Sequence, residues 1–324
     1  DMNDFYNLKL NINKELSSQR LDKALSSSLE KYSRTQIKTL ILSGNVIKDN
    51  LQIKDPSYIT KENDIFTINI FIKNDIKHEP EDIDLNIVYE DEDLLIINKP
   101  PNIVMHPAPG NENGTLVNAL INYTNNKLSS LSDNSRPGIV HRLDKDTSGI
   151  VVVAKNNLSH MKLSDQFKDH TISRKYKAIV WGTPTNQQIE GYIERNKKNR
   201  KKMSLNQKGY GKYSKTDIKL ERSFGIASIV DCNLHTGRTH QIRLHLTSRN
   251  SPIVGDKIYG KSKINQFGKD KKTFNQFMIL KNFERQALHA YNLGFSHPSS
   301  KKWMEFNVDL PEDFTNLIEL LHKY

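Results

Sequence analysis

Residues 141–154 read HRLDKDTSGIVVVA, a charged segment that runs directly into an apolar one. The apolar part, 150–154, has the length and the β-branched composition of a buried strand. The charged part contains two carboxylates, Asp144 and Asp146, between cationic and small turn-forming residues. Functional side chains commonly lie on loops that rigid elements hold in place. The stretch therefore predicts a reactive loop directly before a core strand.

The composition around this loop limits the class of protein. The chain has 324 residues, enough for two domains, and a formal net charge of +11. This charge favours a polyanionic partner, although a composition rich in Lys and Asn is an ordinary alternative source of it. Cys232 is the single cysteine, so no internal disulfide can form, as is usual in a reducing cytoplasm. We expect Cys232 to be a small packed residue. No apolar run reaches the length of a membrane helix, and no secretory signal is expected.

Residues 1–73 have the pattern of a small domain with its own core. The predicted elements are a strand at 6–12, helices at 18–25 and 33–41, and strands at 46–50 and 64–70. Ser33 is placed to cap the second helix, and Gly44 follows its end, as a C-terminal glycine should.

The motifs of this region resemble those of a known RNA-binding domain. Arg-Leu-Asp at 20–22, Ser-Arg at 33–34 and Gly-Asn-Val at 44–46 resemble the S-four-type domain, first known from a small-subunit ribosomal protein. The resemblance implies that Arg20, Arg34 and Lys38 contact RNA phosphates. An ordinary helical hairpin with solvated charges is the alternative.

Residues 74–88 change the character of the chain. They are acidic and contain Pro80, which predicts an acidic linker between two basic parts. A plain solvated connector is the simplest interpretation of this segment.

The remaining residues, 89–324, mix strands and helices without a βαβ rhythm. The predicted strands are 94–98, 149–154, 175–181, 216–221, 227–234 and 303–308, and the predicted helices are 116–123, 158–168, 240–248 and 314–322. This order predicts an α+β domain around a mixed, largely antiparallel sheet. Loops are expected at the charge-dense stretch 195–202 and at the polar stretch 261–272.

Four segments of this second region resemble the pseudouridine synthases that modify large-subunit ribosomal RNA. In chain order they are 93–100 followed by His106-Pro107, the Asp144 loop, 174–182 and 237–245. The second and fourth are the most specific, and the resemblance extends from about residue 19 to the end of the chain. It implies a pseudouridine synthase fold. The segments 106–111 and 114–120 are most similar to the subgroup that modifies the helix 69 loop.

The resemblance also assigns roles to three residues. It implies that Asp144 is the nucleophile, that Arg243 stabilises its anion and that Tyr176 contacts the target base. The residues by themselves leave alternatives open. On chemistry alone Asp146 is as good a candidate as Asp144, and Arg142 could instead pair with Asp144. Tyr176, in an alternating strand, would ordinarily belong to the core.

Further RNA contacts are predicted for residues of the two specific motifs and of the charge-dense loop. They are Arg142, Arg238, His240, Gln241, Arg200 and Lys201. No metal site is predicted, because His240 and His245 would lie about 140° apart on a helix and no zinc-type spacing occurs. The glycines form no phosphate-binding loop, so no nucleotide cofactor is expected.

The function expected from this reading is cofactor-free isomerisation of specific uridines in 23S ribosomal RNA, in the helix 69 loop. The enzyme is expected to be a cytoplasmic monomer with ribosomal RNA, and no membrane, as its partner. One alternative is a synthase acting on transfer RNA. Another is a catalytically silent RNA-binding factor in ribosome assembly, which the presence of Asp144, Tyr176 and Arg243 disfavours. A metal-dependent nuclease fails on ligand spacing.

Overall fold

The computed structural model describes residues 5–29, 32–71, 78–108, 110–129, 136–199, 202–260 and 270–323. The chain divides into two compact units, Asp1–Lys77 and His78–Tyr324. The predicted linker at 74–88 does not coincide with this division, since its part from residue 78 belongs to the second unit. There the Glu81 N–H donates to the carbonyl of Asn118, whose amide donates to the carbonyl of Glu79. This acidic stretch is therefore partly folded within the second unit.

In the described part of the first unit, two helices pack against a four-stranded antiparallel sheet in the order β1-β4-β2-β3. Its elements are β1 (Phe5–Asn11), α1 (Leu21–Ser28), α2 (Arg34–Leu42), β2 (Val46–Lys48), β3 (Leu51–Gln52) and β4 (Ile65–Phe71). Leu21, Leu25 and Leu29, four residues apart, enter its core, as their spacing predicts. Gly44 has a φ of +76° just after α2, the left-handed conformation that glycine adopts most readily.

The second unit contains the remaining elements. They are β5 (Ile87–Glu90), β6 (Leu94–Lys99), α3 (Leu116–Tyr123), β7 (Ser148–Ala154), α4 (Asn157–Lys168), β8 (Ser173–Trp181), β9 (Gln187–Arg195), β10 (Met203–Asn206), β11 (Lys212–Ser223), β12 (Ala227–Leu234), α5 (Gln241–Ser248), α6 (Lys271–Lys281), β13 (Leu288–Ser296), β14 (Trp303–Asn307) and α7 (Glu312–Lys323). The predicted α+β class is confirmed.

One mixed sheet organises this unit. Within the described residues its strands follow the order β10-β9-β11-β12-β8-β13-β7-β6-β5, with β14 paired to β13. Neighbours run antiparallel except β7 and β13, which pair in parallel where Ser148 faces His289 and Gly149 faces Ala290. A Cβ on Gly149 would lie 2.1 Å from the Ala290 carbonyl oxygen, so only glycine permits this approach.

Strand β7 lies between two hydrophobic clusters. Val151 and Val153 point into one, while Ile150, Val152 and Ala154 point into the other. Burial of both faces explains why this run is continuously apolar instead of alternating. The loop that precedes β7 is thus anchored by one of the most deeply buried strands of the unit.

The two predicted loops have different outcomes. In the first, directly after β9, the Asn196 side chain accepts from the N–H groups of Lys198 and Asn199, while residues 200–201 lie outside the described residues. Residues 261–269 lie outside the described residues, but Lys271 and Lys272 already belong to α6. Among the described residues, no helix has the length and apolar character needed to span a membrane.

Candidate active site

A buried lysine, Lys99, holds the loop between residue 141 and β7 in place. Lys99, at the end of β6, donates from Nζ to the carbonyls of Pro100, Ile103 and Lys145 at 2.8, 3.0 and 3.0 Å. Burial lowers the pKa of Lys99 to about 7, while the charges of Asp146 and Asp144 oppose this shift. The three carbonyls match the three donors of an ammonium group, so it is the protonated form of Lys99 that makes all three bonds.

Asp144 is bound by an arginine that lies 99 residues further along the chain. Arg243, on the first turns of α5, donates from Nη1 to Asp144 Oδ2 at 2.8 Å. The arginine side chain is 4% exposed and that of Asp144 is 18% exposed. No hydrogen bond reaches the second carboxylate oxygen, Oδ1, from the described residues. The charge of Asp144 is therefore stabilised at one oxygen while the other stays available for reaction.

A second carboxylate orients this arginine. Arg243 donates from Nε to Asp256 Oδ2 at 2.7 Å and from Nη2 to Asp256 Oδ1 at 2.9 Å. Arg243 thus makes a two-bond contact with Asp256, while Asp144 receives a single bond. Asp256 Oδ1 also accepts the N–H groups of Ile258 and Tyr259, which fixes the carboxylate in its own turn. No role was predicted for Asp256 from the sequence.

His240 and Tyr259 form the next wall of the site. His240 has a φ of +58°, a left-handed conformation that is strained for a histidine, directly before α5. Its Nδ1 lies 2.8 Å from the Tyr259 hydroxyl, and its Nε2 lies 3.8 Å from Asp144 Oδ2. The Tyr259 hydroxyl also accepts the N–H of Met203. The predicted contact residue His240 therefore lies beside the candidate nucleophile.

Tyr176 lines the same cavity from β8. Asp144 lines three adjoining cavities, with empty volumes of about 380, 800 and 1000 Å³, and Tyr176 lines the first two of them. Burial raises the pKa of Tyr176 to about 12, so its phenol is protonated near neutral pH. The structure thus brings Asp144, Arg243 and Tyr176 together from a loop, a helix and a strand.

Arg285 connects the Asp144 loop to the C-terminal helix, α7. Arg285 donates from Nη1 to the carbonyl of Asp146 at 3.1 Å and forms two further bonds to the carboxylate of Asp313 in α7. Gln286 donates to the hydroxyl of Thr147 at 3.1 Å. Asp146 thus contributes a backbone carbonyl to these contacts, and the side chain that faces Arg243 is that of Asp144.

The other predicted RNA-contacting residues of this unit are placed differently from one another. Arg142 is exposed and lines the cavities. Among the described residues, it forms no ion pair with Asp144, which pairs with Arg243 instead. Arg238 is partly exposed and donates from Nε to the carbonyl of Tyr213. Gln241 is buried, and its amide binds Thr236 and other internal groups, so it supports the loop from inside. Arg200 and Lys201 lie outside the described residues.

In the first unit, a buried carboxylate organises the predicted RNA face. Asp22 accepts from both Arg20 and Arg34, whose side chains are 49% and 59% exposed. Lys38 is exposed and lies one turn of α2 after Arg34. The three cations predicted for RNA contact are therefore available to a ligand, and two of them are held in place by Asp22.

A group with metal-ligand character lies elsewhere in the second unit. Asp91, Asp93 and His297 place one potential ligand atom each within 4.8 Å of one another. These atoms are already bound, since His297 Nε2 lies 2.9 Å from Asp91 Oδ2 and the Asp93 carboxylate accepts from Ser159 and Ser299. The group therefore serves to join the turn before β6 to the chain after β13.

Comparison with known proteins matches both units to families. A family model described as RNA pseudouridylate synthase matches residues 93–248, and an S4 domain model matches residues 19–66. The chain is 42% identical to the ribosomal large subunit pseudouridine synthase D of Zymomonas mobilis, over 97% of each chain. It is 38% identical to the protein of the same name from Escherichia coli, over 94% of this chain and 90% of that one.

Solved structures agree on the fold. The human RNA Pseudouridylate Synthase Domain Containing 4 superposes with a TM-score of 0.53 at 20% identity, over 73% of this chain and 93% of that one. The human RNA Pseudouridylate Synthase Domain Containing 1 gives a TM-score of 0.52 at 23% identity, over 74% and 96%. With relatives of 42% identity along nearly its whole length, this chain belongs to the RNA pseudouridylate synthase family and carries an S4 domain in its first unit.

Proposed function

We propose that this protein converts specific uridines of 23S ribosomal RNA, in the helix 69 loop, to pseudouridine, with Asp144 as its nucleophile. The observation that carries the proposal is the contact of Asp144 with Arg243 inside a cavity that Tyr176 also lines. The relatives named as large-subunit synthases support the choice of ribosomal RNA. A charged pair of this kind at a cavity wall is typical of a catalytic site.

The reaction is an isomerisation, so its atoms balance within the nucleotide. The bond from N1 of uracil to the ribose breaks, the base rotates, and C5 bonds to the same ribose carbon. The proton of C5 is lost and a proton is gained at N1. No oxidant, metal or phosphate donor is required by this balance, and a carboxylate that forms a transient adduct is sufficient.

The target base has to leave its stack to reach Asp144. Enzymes that act on a base inside folded RNA extrude it into a pocket and hold it against aromatic or apolar walls. Tyr176, with Leu143 and Leu234 beside it in the cavity, supplies such a wall. The exposed cations of the first unit, Arg20 and Arg34, and the exposed Arg142 add electrostatic attraction to the RNA backbone.

The direct test is pseudouridine mapping of ribosomal RNA from cells that lack this protein, with and without the wild-type gene restored. We expect pseudouridine signals in the helix 69 loop to disappear and to return with the wild type. Unchanged ribosomal signals, together with a loss in transfer RNA, would favour the alternative synthase. Unchanged signals in both RNAs would favour a role in binding alone.

Replacing Tyr176 with Phe tests the role of the phenol. We assign the hydroxyl a part in proton transfer with the target base, so its loss should lower the rate by about 100-fold or more, while RNA affinity stays near that of the wild type because the ring remains. Since burial raises the pKa of Tyr176 to about 12, the wild-type rate should not fall between pH 9 and 10 through ionisation of this phenol. Single-turnover rates at these pH values measure both effects.

A matched control for this substitution lies on the adjacent strand. Tyr291, on β13, donates its hydroxyl to Asp231, and burial raises its pKa as well. It is not among the residues that line the three cavities. Tyr291→Phe should keep the rate within about threefold, and equal losses in both variants would argue against a special role for Tyr176.

A further inference from the structure

Arg174 is a buried cation that pairs with no anion among the described residues. It lies on β8, two residues before Tyr176, and is 6% exposed. Its Nε and Nη2 atoms are buried and have no hydrogen-bond partner among the described residues. Burial lowers the pKa of Arg174, with Tyr176 opposing this shift and Arg238 adding to it, and no carboxylate contributes.

Such an arrangement is costly unless a ligand completes it. Buried polar groups in folded proteins are nearly always hydrogen-bonded, and a buried charge is usually paired. A guanidinium has five N–H donors, and removing them from water without partners destabilises the folded chain. The unpaired state of Arg174 therefore indicates a group that arrives from outside the protein.

The cavity beside Arg174 has the charge of an anion site. It has an empty volume of about 800 Å³ and is lined by Arg142, Arg174 and Arg238, with Asp144 as its one carboxylate among the described residues. Asp144 is already paired with Arg243. The cavity thus carries an excess of positive charge and favours a negatively charged ligand.

The guanidinium of Arg174 is held in position by its surroundings. It lies 5.5 Å from the centre of the Phe167 ring, which stacks on His141 at 4.6 Å. A Cβ at Gly237 would lie 2.3 Å from Arg174 Nη1, so the glycine of the Gly-Arg-Thr-His motif allows its backbone to approach the arginine closely. A ring and a loop backbone together define a built site for this side chain.

We propose that Arg174, together with Arg142 and Arg238, binds a phosphate of the RNA backbone next to the uridine that enters the Asp144 cavity. The planar fork of a guanidinium matches two phosphate oxygens. The cavity shares Asp144, Tyr176 and His240 with the smaller catalytic cavity, so a phosphate here is close to the base being isomerised. This inference rests on the proposed function in that RNA is taken as the substrate.

The test replaces Arg174 with Met in the full-length protein. Binding to a fluorescein-labelled RNA stem-loop that carries the helix 69 loop is measured by anisotropy over a series of salt concentrations. We expect Kd to rise roughly tenfold or more, as for the loss of a hydrogen bond to a charged group. The slope of log Kd against log salt should decrease by about one, the value for one lost phosphate contact.

The same variant separates binding from a structural role. Since Met replaces an unpaired buried charge with an apolar side chain, the melting temperature should stay equal to that of the wild type or rise. A melting temperature lowered by several degrees with an unchanged salt slope would assign Arg174 to the fold instead. Unchanged affinity would equally overturn the inference.

A control variant and a modified RNA sharpen the result. Arg222 also lies 5.5 Å from an aromatic ring, that of Phe224, but it is exposed and lines none of the three cavities. Arg222→Met should leave affinity and slope near the wild-type values. A neutral methylphosphonate at one linkage flanking the target uridine should weaken the wild type as much as Arg174→Met does, and should not weaken that variant further.

Assaying pseudouridine in the same RNA keeps this inference apart from the proposed function. If the wild type binds the stem-loop but forms no pseudouridine in it, the proposed target fails. The salt slope of Arg174→Met on that RNA still decides whether Arg174 contacts a phosphate.

Discussion

Replacing Asp144 with Asn is expected to lower the rate of pseudouridine formation by about 10⁴-fold or more. The amide keeps the size of the side chain but cannot act as an anionic nucleophile, and it loses the charge that pairs with Arg243. Single-turnover conversion of a labelled RNA measures the effect. Affinity for that RNA and the melting temperature should change little, because Arg243 keeps its two bonds to Asp256.

The control for this variant lies two residues away in the same loop. Asp146 contributes its backbone carbonyl to Arg285, a contact that substitution of its side chain leaves in place. We expect Asp146→Asn to retain the rate within about tenfold. Retained activity in Asp144→Asn with loss in Asp146→Asn would reverse the assignment of the nucleophile, which the residues alone had left open.

Replacing Asp256 with Asn should impair both stability and catalysis. The carboxylate is buried and receives two bonds from Arg243, and breaking such a pair costs about 3 kcal/mol or more. For a unit of this size, such a loss lowers Tm by about 10 °C. Because Arg243 would also lose its fixed orientation toward Asp144, we expect kcat to fall by about 100-fold with little change in RNA affinity. Thermal melts and single-turnover rates measure these effects.

The stabilisation that the Arg243–Asp256 pair provides should decrease as the pH falls. Burial raises the pKa of Asp256, but the bonds and the charge of Arg243 outweigh it, so that the pKa lies below the ordinary value of 3.8. The stabilisation is therefore complete above that value and is lost as the pH falls through the lower pKa of the folded state. The difference in Tm between the wild type and Asp256→Asn should be constant from pH 8 to pH 5 and should shrink below pH 4.

An exposed aspartate provides the comparison for Asp256. Asp217 pairs with His235 at 2.6 Å, but its side chain is 41% exposed, and ion pairs in such positions contribute less than about 1 kcal/mol. Asp217→Asn should therefore lower Tm by no more than a few degrees and leave kcat unchanged. Equal destabilisation by the two substitutions would show that burial of the Asp256 pair is not the cause.

The secondary structure that could be predicted is the part with a strong apolar pattern. Helix α3 and strand β12 begin and end where the sequence predicts, because their apolar residues recur with one clear period. Strand β9 was missed, since its inward positions include Gly191 and it offers only Ile189 and Ile193 as apolar residues. A polar strand of this kind is specified by its partners β10 and β11, which both lie later in the chain.

The candidate site also contains some residues that the sequence predicted and others that it did not. Asp144, Tyr176 and Arg243 were predicted through motif resemblance, and no local pattern could have shown that they meet. Asp256 and Arg174 received no role, although Arg174 begins one of the four segments that carry the resemblance. A single Asp in a turn, or an Arg before a strand tyrosine, is ordinary in sequence. Only the folded chain reveals that one is fully paired and that the other has no partner among the described residues.

The parallel contact of β7 with β13 joins parts of the chain that are synthesised far apart in time. Ser148 and His289, which meet at this contact, are 141 residues apart, and the loop with Asp144 adjoins it. Contacts across such separations form late, because a long loop must close first. A nascent chain that has exposed Asp144 still lacks β13, Arg243 and Arg285. We therefore expect activity to appear only after Arg243 has been synthesised and β13 has paired with β7.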